Sequence, residues 1–232
     1  MEVFFSGLKE AVRLLASGDR EVLEVAVRTL EVSGLATLAS VVIGVPFGLL
    51  LALKHFPGRR FLVSLVNFGM GLPPVVVGLA VWLTFTRYGP LGSLNLLYTP
   101  AAMIIAQAVI ASPIVTGFTV AAIQSLNPNV RLQILALGAS RLQMLWLLVR
   151  EARLGLLAAV IAGFGGVISE VGASMMVGGN IAGSTRVLTT AIVLAVGQGK
   201  TELATALSVI LFVLSYGITA FLTAAQQRGT PA

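Results

Sequence analysis

The chain offers few side chains that perform covalent or metal chemistry. It has one histidine, His55, one aspartate, Asp19, and no cysteine. A serine hydrolase needs a histidine beside its serine, and an aspartyl protease needs two aspartates. No histidine, cysteine and carboxylate spacing suits a metal site, and no G-x-x-x-x-G-K-[ST] nucleotide-binding run occurs. The residue types therefore argue against an enzyme and favour a function based on binding or transport.

The residues best suited to hold a ligand are concentrated between positions 178 and 186. Backbone N–H groups, amides and hydroxyls bind an oxyanion without a full positive charge. The candidates of this kind are Gly178, Gly179, Asn180, Ser184 and Thr185. For the glycines, close packing between helices is an alternative. Arg186 ends the run, where it either attracts an anion, pairs with an acid or anchors the helix that follows.

Composition places these residues in a membrane protein. Of 232 residues, 57% are hydrophobic and only 10% are charged, whereas a soluble domain has about 25% charged residues. The net charge is +6, but the chain has no soluble basic domain, so nucleic-acid binding is not expected. Basic loops that fix a membrane topology explain the charge better.

Five apolar stretches are long enough to cross a bilayer, which needs about 20 residues. They divide the chain into lead-in helices at 1–31, with an interfacial first helix, and an all-α transmembrane domain at 32–226. A further apolar stretch at 187–196 is too short to span and is predicted to be a partial, re-entrant or interfacial helix. Pro73-Pro74 predicts a kink in the second stretch. The predicted spans are 32–53, 61–86, 99–123, 154–177 and 203–225.

Glu170 is the only acid inside these five stretches. A charge there costs several kcal/mol unless it is paired, protonated or hydrated. It is either a pathway residue or a structural acid, hydrogen-bonded to backbone N–H groups near Gly172 or to an arginine. We favour the structural role.

Five spans put the two termini on opposite sides, and the short loops decide which side is which. With the amino terminus outside, the inner segments hold eight basic residues and one acid: Lys54, Arg59, Arg60, Arg131, Arg141, Arg150, Arg153, Arg228 and Glu151. The outer segments hold seven basic residues, four of them in the long acid-rich amino-terminal segment. Positive charge in short loops favours the cytoplasm, so 127–153 is predicted to be cytoplasmic.

This cytoplasmic segment is predicted to be a pair of short helices with a sharp turn between them. Asn127-Pro128 is a helix-start signal. Gly138 suits the left-handed conformation that ends a helix, and Ser140 with Gln143 forms a capping box for a second helix. The turn exposes a corner that includes Leu135, Leu137 and Ala139. An exposed apolar corner indicates a partner surface, or else one that folds back onto its own protein.

The stretch Leu137-Gly138-Ala139-Ser140 resembles the L-G-A core of the cytoplasmic loop in permeases of ABC importers. In that family the loop forms a coupling helix that docks on the ATPase subunit. Leu132, Gln133 and Ile134 stand where the family has E-A-A, and Arg150-Glu151 where L-P often closes the motif. The resemblance implies a type I importer permease fold and assigns ATPase coupling to Leu135, Leu137, Gly138, Ala139 and Ser140.

Two further stretches resemble the molybdate and tungstate permeases within this family. They are 72–92 and, more narrowly, 169–200, where G-N-I-x-G-x-T-R is followed by V-L-T-T-A-I-V as in the tungstate type. The resemblance implies a multi-pass protein of the bacterial or archaeal cell (inner) membrane that imports a tetrahedral oxyanion, tungstate first and molybdate next. It disfavours an exposed carboxylate at Glu170, which would repel such a dianion.

The resemblance also implies partners. They are a second copy of the chain, two ATPase subunits that hold ATP and magnesium, and an extracytoplasmic binding protein; no cofactor is expected in this chain. A self-contained secondary carrier or channel is an alternative, but it needs coupling-ion sites in broken helices and Glu170 is the only obvious one. A membrane scaffold without transport is a third. Copurification of an ATPase would separate the three hypotheses.

Overall fold

A computed structural model describes residues 2–227, with the side chains of residues 2–4 and 128 excepted. Arg228, counted above among the inner basic residues, lies outside this range. Within it the chain forms α-helices joined by short links and one 3-10 turn at Gly92–Leu94, and no strand. The helices are α1 (Glu2–Ser17), α2 (Arg20–Leu53), α3 (Arg59–Met70), α4 (Pro74–Phe85), α5 (Pro100–Gln124), α6 (Pro128–Ala136), α7 (Arg141–Glu151), α8 (Arg153–Ile168), α9 (Gly172–Gly178), α10 (Leu188–Gly197) and α11 (Thr201–Gln227).

Three helices in the described range are long and apolar enough to cross a membrane, namely α2, α5 and α11. Two bent pairs, α3 with α4 and α8 with α9, raise the number of spans to as many as five. This agrees with the predicted all-α architecture. The short apolar stretch at 187–196 is also confirmed as a short helix, α10.

The helix that carries the first predicted span begins at Arg20, so it also includes the end of the predicted lead-in segment. Gly18 has a left-handed φ of 63°, which ends α1. Asp19 then accepts a hydrogen bond from the Val22 N–H at 3.0 Å and caps α2. The 34 residues of α2 are about 51 Å long, which exceeds the hydrocarbon core of about 30 Å. The predicted lead-in helices are therefore α1 and the first part of the spanning helix α2.

The second and fourth spans are broken rather than kinked. α3 and α4 meet at 103°, because Gly71 ends α3 and Pro74 begins α4, where its missing N–H costs nothing. α8 and α9 meet at 60° across Ser169, Glu170 and Val171. The span predicted at 154–177 is therefore formed by two helices with a break at Glu170.

The two central helices, α2 and α5, approach closely at small residues. A Cβ placed on Gly44 would lie 3.0 Å from the Val115 side chain, and one on Gly48 would lie 2.6 Å from Thr119 Cβ. Ser40 Oγ also donates to the Ala108 carbonyl at 3.3 Å. Small residues allow such contacts in membranes, where packing rather than the hydrophobic effect holds helices together.

The first helix, α1, packs along α11 at the edge of the domain. Ala11 and Leu14 are buried in this contact, and a Cβ on Gly7 would lie 2.4 Å from Thr205 Cβ. Phe5 and Val12 point away and remain exposed. α1 is thus amphipathic as predicted, and its buried face is covered by another helix of the same chain.

The close approach of α2 and α5 gives a matched pair of alanine substitutions. Gly48→Ala forces Thr119 and the Thr116 carbonyl to shift, and overpacking of this kind costs about 1–3 kcal/mol. Gly34→Ala, on the same helix, meets no atom within 4 Å. We expect thermal unfolding in detergent to show a lowered midpoint for Gly48→Ala only. Equal midpoints for both variants would contradict the packing described here.

Candidate functional site

The break between α8 and α9 is closed by the side chain of Glu170. Glu170 is 6% exposed. Its two carboxylate oxygens accept hydrogen bonds from the backbone N–H groups of Ala173 and Ser174, each at 3.0 Å. These are donors that the start of a helix leaves without a partner, and a carboxylate at that end is favoured by the helix dipole. The geometry at Glu170 is that of a backbone cap.

A buried polar network connects this break to three neighbouring helices. The Thr189 hydroxyl of α10 donates to the Glu170 carbonyl at 2.9 Å. In α5, Gln107 Nε2 donates to Ser174 Oγ at 3.0 Å. The Leu188 N–H of α10 donates to Thr29 Oγ1 of α2 at 2.8 Å. These bonds fix the position of α9 and therefore of the loop that follows it.

The loop from Gly179 to Val187 is folded around the buried hydroxyl of Thr185. This hydroxyl donates to the Gly178 carbonyl at 2.5 Å and accepts the Ile181 N–H at 3.0 Å. The Ile181 carbonyl accepts the N–H groups of Ser184, Thr185 and Arg186 at 3.0 to 3.2 Å. Gly179 and Asn180 take left-handed φ values of 71° and 52°. The loop is thus held in shape by its own backbone.

This geometry corrects part of the predicted anion site. The Gly179 N–H donates to the Met175 carbonyl at 3.0 Å, and the Thr185 hydroxyl is fully used within the loop. Gly178 is buried against Met103, whose Sδ lies 2.7 Å from where a Cβ would be. These three residues therefore present no free donor to a ligand in this conformation. Asn180 and Ser184 are only partly buried and stay candidates.

Arg186 forms an ion pair with Glu21 near the start of α2. Arg186 Nη1 lies 3.2 Å from Glu21 Oε1, and the Glu21 side chain is 76% exposed. The Arg186 Nε is buried and has no hydrogen-bond partner in the described part of the chain. Pairing with an acid was one of the roles considered for Arg186. Because an exposed pair contributes only about 0–1 kcal/mol, the pair positions the loop more than it stabilises the fold.

The corner between α6 and α7 has the predicted local structure. Gly138 adopts a φ of 77°. Ser140 and Gln143 form a reciprocal capping box at the start of α7, and Asn127 Oδ1 accepts the Asn129 N–H at 2.9 Å ahead of α6. Leu137 is 87% exposed at the tip, while Ala139 is partly buried. The corner therefore presents an apolar surface that its own chain does not cover.

Sequence reasoning missed two features of these sites. Leu142 and Trp146 are exposed on α7 and extend the apolar surface, as their spacing of four residues on one helix could have shown. Gln107 is a fully buried amide within the third span, and a polar residue in a predicted span is itself a signal. Its partner, Ser174, lies 67 residues away, and no local pattern identifies it.

Comparison with known proteins agrees with this architecture. Residues 44–229 match the family model described as "Binding-protein-dependent transport system inner membrane component". The tungstate uptake system permease protein TupB of Peptoclostridium acidaminophilum is 37% identical over 228 residues, covering 98% of this chain and all of that protein. A probable anion ABC transporter permease protein of Haloferax volcanii is 41% identical over 197 residues, covering 83% and 85% of the two chains.

Solved structures show the same fold at lower identity. A chain of the MetNI methionine ABC transporter superposes with a TM-score of 0.74 at 23% identity, covering 94% of this chain and 99% of that one. A chain of a bacterial ABC transporter that imports alginate gives 0.73 at 20% identity, covering 90% and 80%. The fold is that of a type I ABC importer permease. The chain belongs to the family of binding-protein-dependent transport system inner membrane components.

The role of Thr185 in the loop leads to a stability prediction. Thr185→Val keeps the shape of the side chain but leaves the Gly178 carbonyl and the Ile181 N–H without their partner, which costs about 1–3 kcal/mol. Ser184→Ala removes a neighbouring hydroxyl that makes no hydrogen bond within the described residues. We expect faster proteolysis of the loop and a lower unfolding midpoint for Thr185→Val than for Ser184→Ala. The reverse order would show that Thr185 does not hold the loop.

Proposed function

We propose that the chain is the membrane-spanning subunit of an ATP-driven importer for a tetrahedral oxyanion, tungstate first and molybdate as the alternative. The observation that carries the proposal is the full-length similarity to a tungstate uptake permease at 37% identity. A second tungstate permease, from Campylobacter jejuni, is 32% identical over 93% of this chain. The molybdenum permease ModB of Escherichia coli K12 is more distant, at 27% over 71%.

The proposed transporter contains two copies of this chain, two separate ATPase subunits that hold ATP and magnesium, and an extracytoplasmic binding protein. A homodimer gives the pathway two equivalent halves. ATPase closure would move the corner at Leu135, Leu137, Gly138, Ala139 and Ser140. Its exposed apolar surface and its connection through α7 to α8 support this role.

Charge distribution supports a pathway with weak anion contacts. The predicted spans contain no lysine or arginine. A site that binds too tightly cannot release its ion, so a neutral pathway suits a dianion whose selection is left to the binding protein. Glu170 fits the proposal because its charge is directed to the α9 backbone, where it caps two N–H groups. Asn180 and Ser184 are the neutral side chains that we assign to the outer mouth.

Reconstituted transport tests the proposal. The chain is coexpressed with the ATPase and binding protein of the same organism that copurify with it, and uptake of tungstate into proteoliposomes is measured with and without ATP. We expect ATP-dependent uptake in which excess tungstate competes better than molybdate, and sulfate competes least. Stronger competition by molybdate would assign that substrate instead. Uptake driven by an ion gradient without ATP would support the secondary carrier.

The corner yields a prediction that separates conformation from side-chain size. Gly138 has open space around it, with nothing within 4 Å of a Cβ, so only its left-handed φ restricts substitution. Valine is strongly disfavoured there, whereas asparagine adopts this conformation readily. We expect substrate-stimulated ATP hydrolysis to be lost in Gly138→Val and largely kept in Gly138→Asn, with equal membrane expression. Full stimulation in Gly138→Val would remove the corner from the coupling mechanism.

Orientation is tested with single cysteines, which are informative because the chain has none. We expect the amino terminus and residues near Gly92–Leu94 to be outside, and the α2–α3 link and 127–153 to be cytoplasmic. Exposed positions on the two sides are Ser93 and Pro57. In intact cells an impermeant maleimide should label Ser93→Cys and spare Pro57→Cys until the membrane is permeabilised. Labelling in the opposite pattern would invert the topology.

Arg186 at the outer mouth either steers the incoming anion or only pairs with Glu21. Steering by an exposed charge is screened within about 8 Å at physiological ionic strength. For steering, we expect Arg186→Gln to slow uptake at low salt and low substrate, while Glu21→Gln, which frees the guanidinium, does not slow it. If both variants reduce uptake equally at every salt concentration, Arg186 acts through its ion pair with Glu21 and not by steering the anion.

A further inference from the structure

A cleft with a volume of about 680 Å³ lies between the coupling segment and the ends of two spanning helices. Its walls come from the end of α2 and the link after it, from the end of α5, and from α6 and α7. Apart from the coupling residue Leu135, these wall residues are assigned no role by the transport mechanism above. The cleft thus lies between the proposed coupling corner and the transmembrane core.

The polar side of the cleft is basic. His55, Arg59 and Arg131 line it together with two side-chain amides, and no carboxylate is among its lining residues in the described part of the chain. Arg59 Nε donates to the Leu51 carbonyl at 2.6 Å and so caps the end of α2. Neither Arg131 nor His55 forms an ion pair or hydrogen bond within the described residues. The unneutralised charge calls for an anionic ligand.

The other side of the cleft is apolar. Leu132 and Leu135 of α6 form this wall with Leu148 of α7 and Ile123 of α5. Leu132 is 64% exposed and Leu135 is 45% exposed, whereas Leu148 is buried. A small inorganic anion needs no hydrocarbon surface, and its hydration would be disturbed beside one. The ligand that suits both walls carries a negative head and an apolar tail.

The position of the cleft matches a lipid headgroup. α2 and α5 are spanning helices, and the cleft is formed by their final residues, Leu53 and Gln124, at the level where a bilayer changes from hydrocarbon to headgroups. Basic pockets between spanning helices on the cytoplasmic side bind anionic lipid heads. We propose that this cleft binds an anionic phospholipid of the inner leaflet, whose head contacts Arg131, Arg59 and His55 and whose chains lie against the leucines.

A lipid bound here would connect α6 to the ends of α2 and α5. It would hold the coupling corner against the core while the ATPase engages its exposed tip at Leu137. ATP hydrolysis coupled to transport would then depend on anionic lipid. The cytoplasmic location and this consequence rest on the proposed function, whereas lipid binding itself is measured on the permease alone.

The test measures which lipids the full-length permease retains. Purified protein is equilibrated with equal amounts of phosphatidylglycerol and phosphatidylcholine, and bound lipid is counted by native mass spectrometry. We expect a preference for phosphatidylglycerol that falls about fivefold in Arg131→Gln, as removal of one basic residue near the surface predicts. Arg131→Lys keeps the charge and should keep most of the preference. Arg141→Gln removes another exposed cation that does not line the cleft, and should change nothing.

Three results would overturn the proposal. An equal loss in Arg131→Gln and Arg141→Gln would show only diffuse attraction to the basic surface. Displacement of phosphatidylglycerol by inorganic phosphate would show a site for small anions. Unchanged lipid retention with loss of the copurifying ATPase in Arg131→Gln would show that the cleft belongs to the ATPase interface. Because none of these readouts uses tungstate, failed uptake in the transport assay would leave the lipid result standing, and the converse also holds.

Discussion

A helix that breaks inside a membrane must find partners for the backbone groups that it exposes, because no water is available to supply them. Glu170 meets this constraint at the junction of α8 and α9 by accepting two N–H groups at the start of α9. The Glu170 carbonyl at the same junction is satisfied by the Thr189 hydroxyl, which donates a hydrogen bond to it. The loop after α9 depends on this junction, since α9 is only seven residues long and could not hold its place unsupported. Within the described residues, one buried acid thus allows a change of helix direction without a cationic partner.

A structural feature can be predicted from the sequence when the residues that determine it lie close together in the chain. The turn at Gly138 and the capping box of Ser140 with Gln143 depend on residues within four positions of each other, and both are confirmed. Residues 20–31 of the predicted lead-in belong to α2, because a helix longer than the membrane carries charges such as Glu24 and Arg28 outside it. The break at Glu170 was not predicted, because a glutamate within an apolar stretch does not itself show where a helix ends. Backbone N–H groups near Gly172 were among the partners considered for its carboxylate, and the structure gives it those of Ala173 and Ser174.

The anion site shows a different limit of sequence reasoning. Gly178, Gly179 and Thr185 have the right chemical groups for an oxyanion, and residue type alone cannot show that those groups are already used. In the structure Thr185 folds the loop, and the Gly179 N–H closes the end of α9. Polar groups in a membrane are first required to satisfy the protein itself. Only residues whose polar groups are not already hydrogen-bonded within the protein remain to bind a substrate. Which residues these are depends on contacts that only the folded structure shows.

The two ends of the domain are held in place in different ways, and this difference suits the transmission of a movement from one end to the other. The loop after α9 is held by Thr185, by the network around Glu170 and by the ion pair of Arg186 with Glu21. The corner between α6 and α7 is held by its own caps, exposes the Leu137 side chain, and meets the transmembrane core across an open cleft at Arg131. In the proposed transporter, force applied at the corner would therefore not be absorbed by local unfolding of the capped helices. It would pass through α7 into α8, whose far end is the break at Glu170. Movement of α8 would then carry α9 and its loop with it, because Glu170 connects the end of α8 to the start of α9 by two hydrogen bonds.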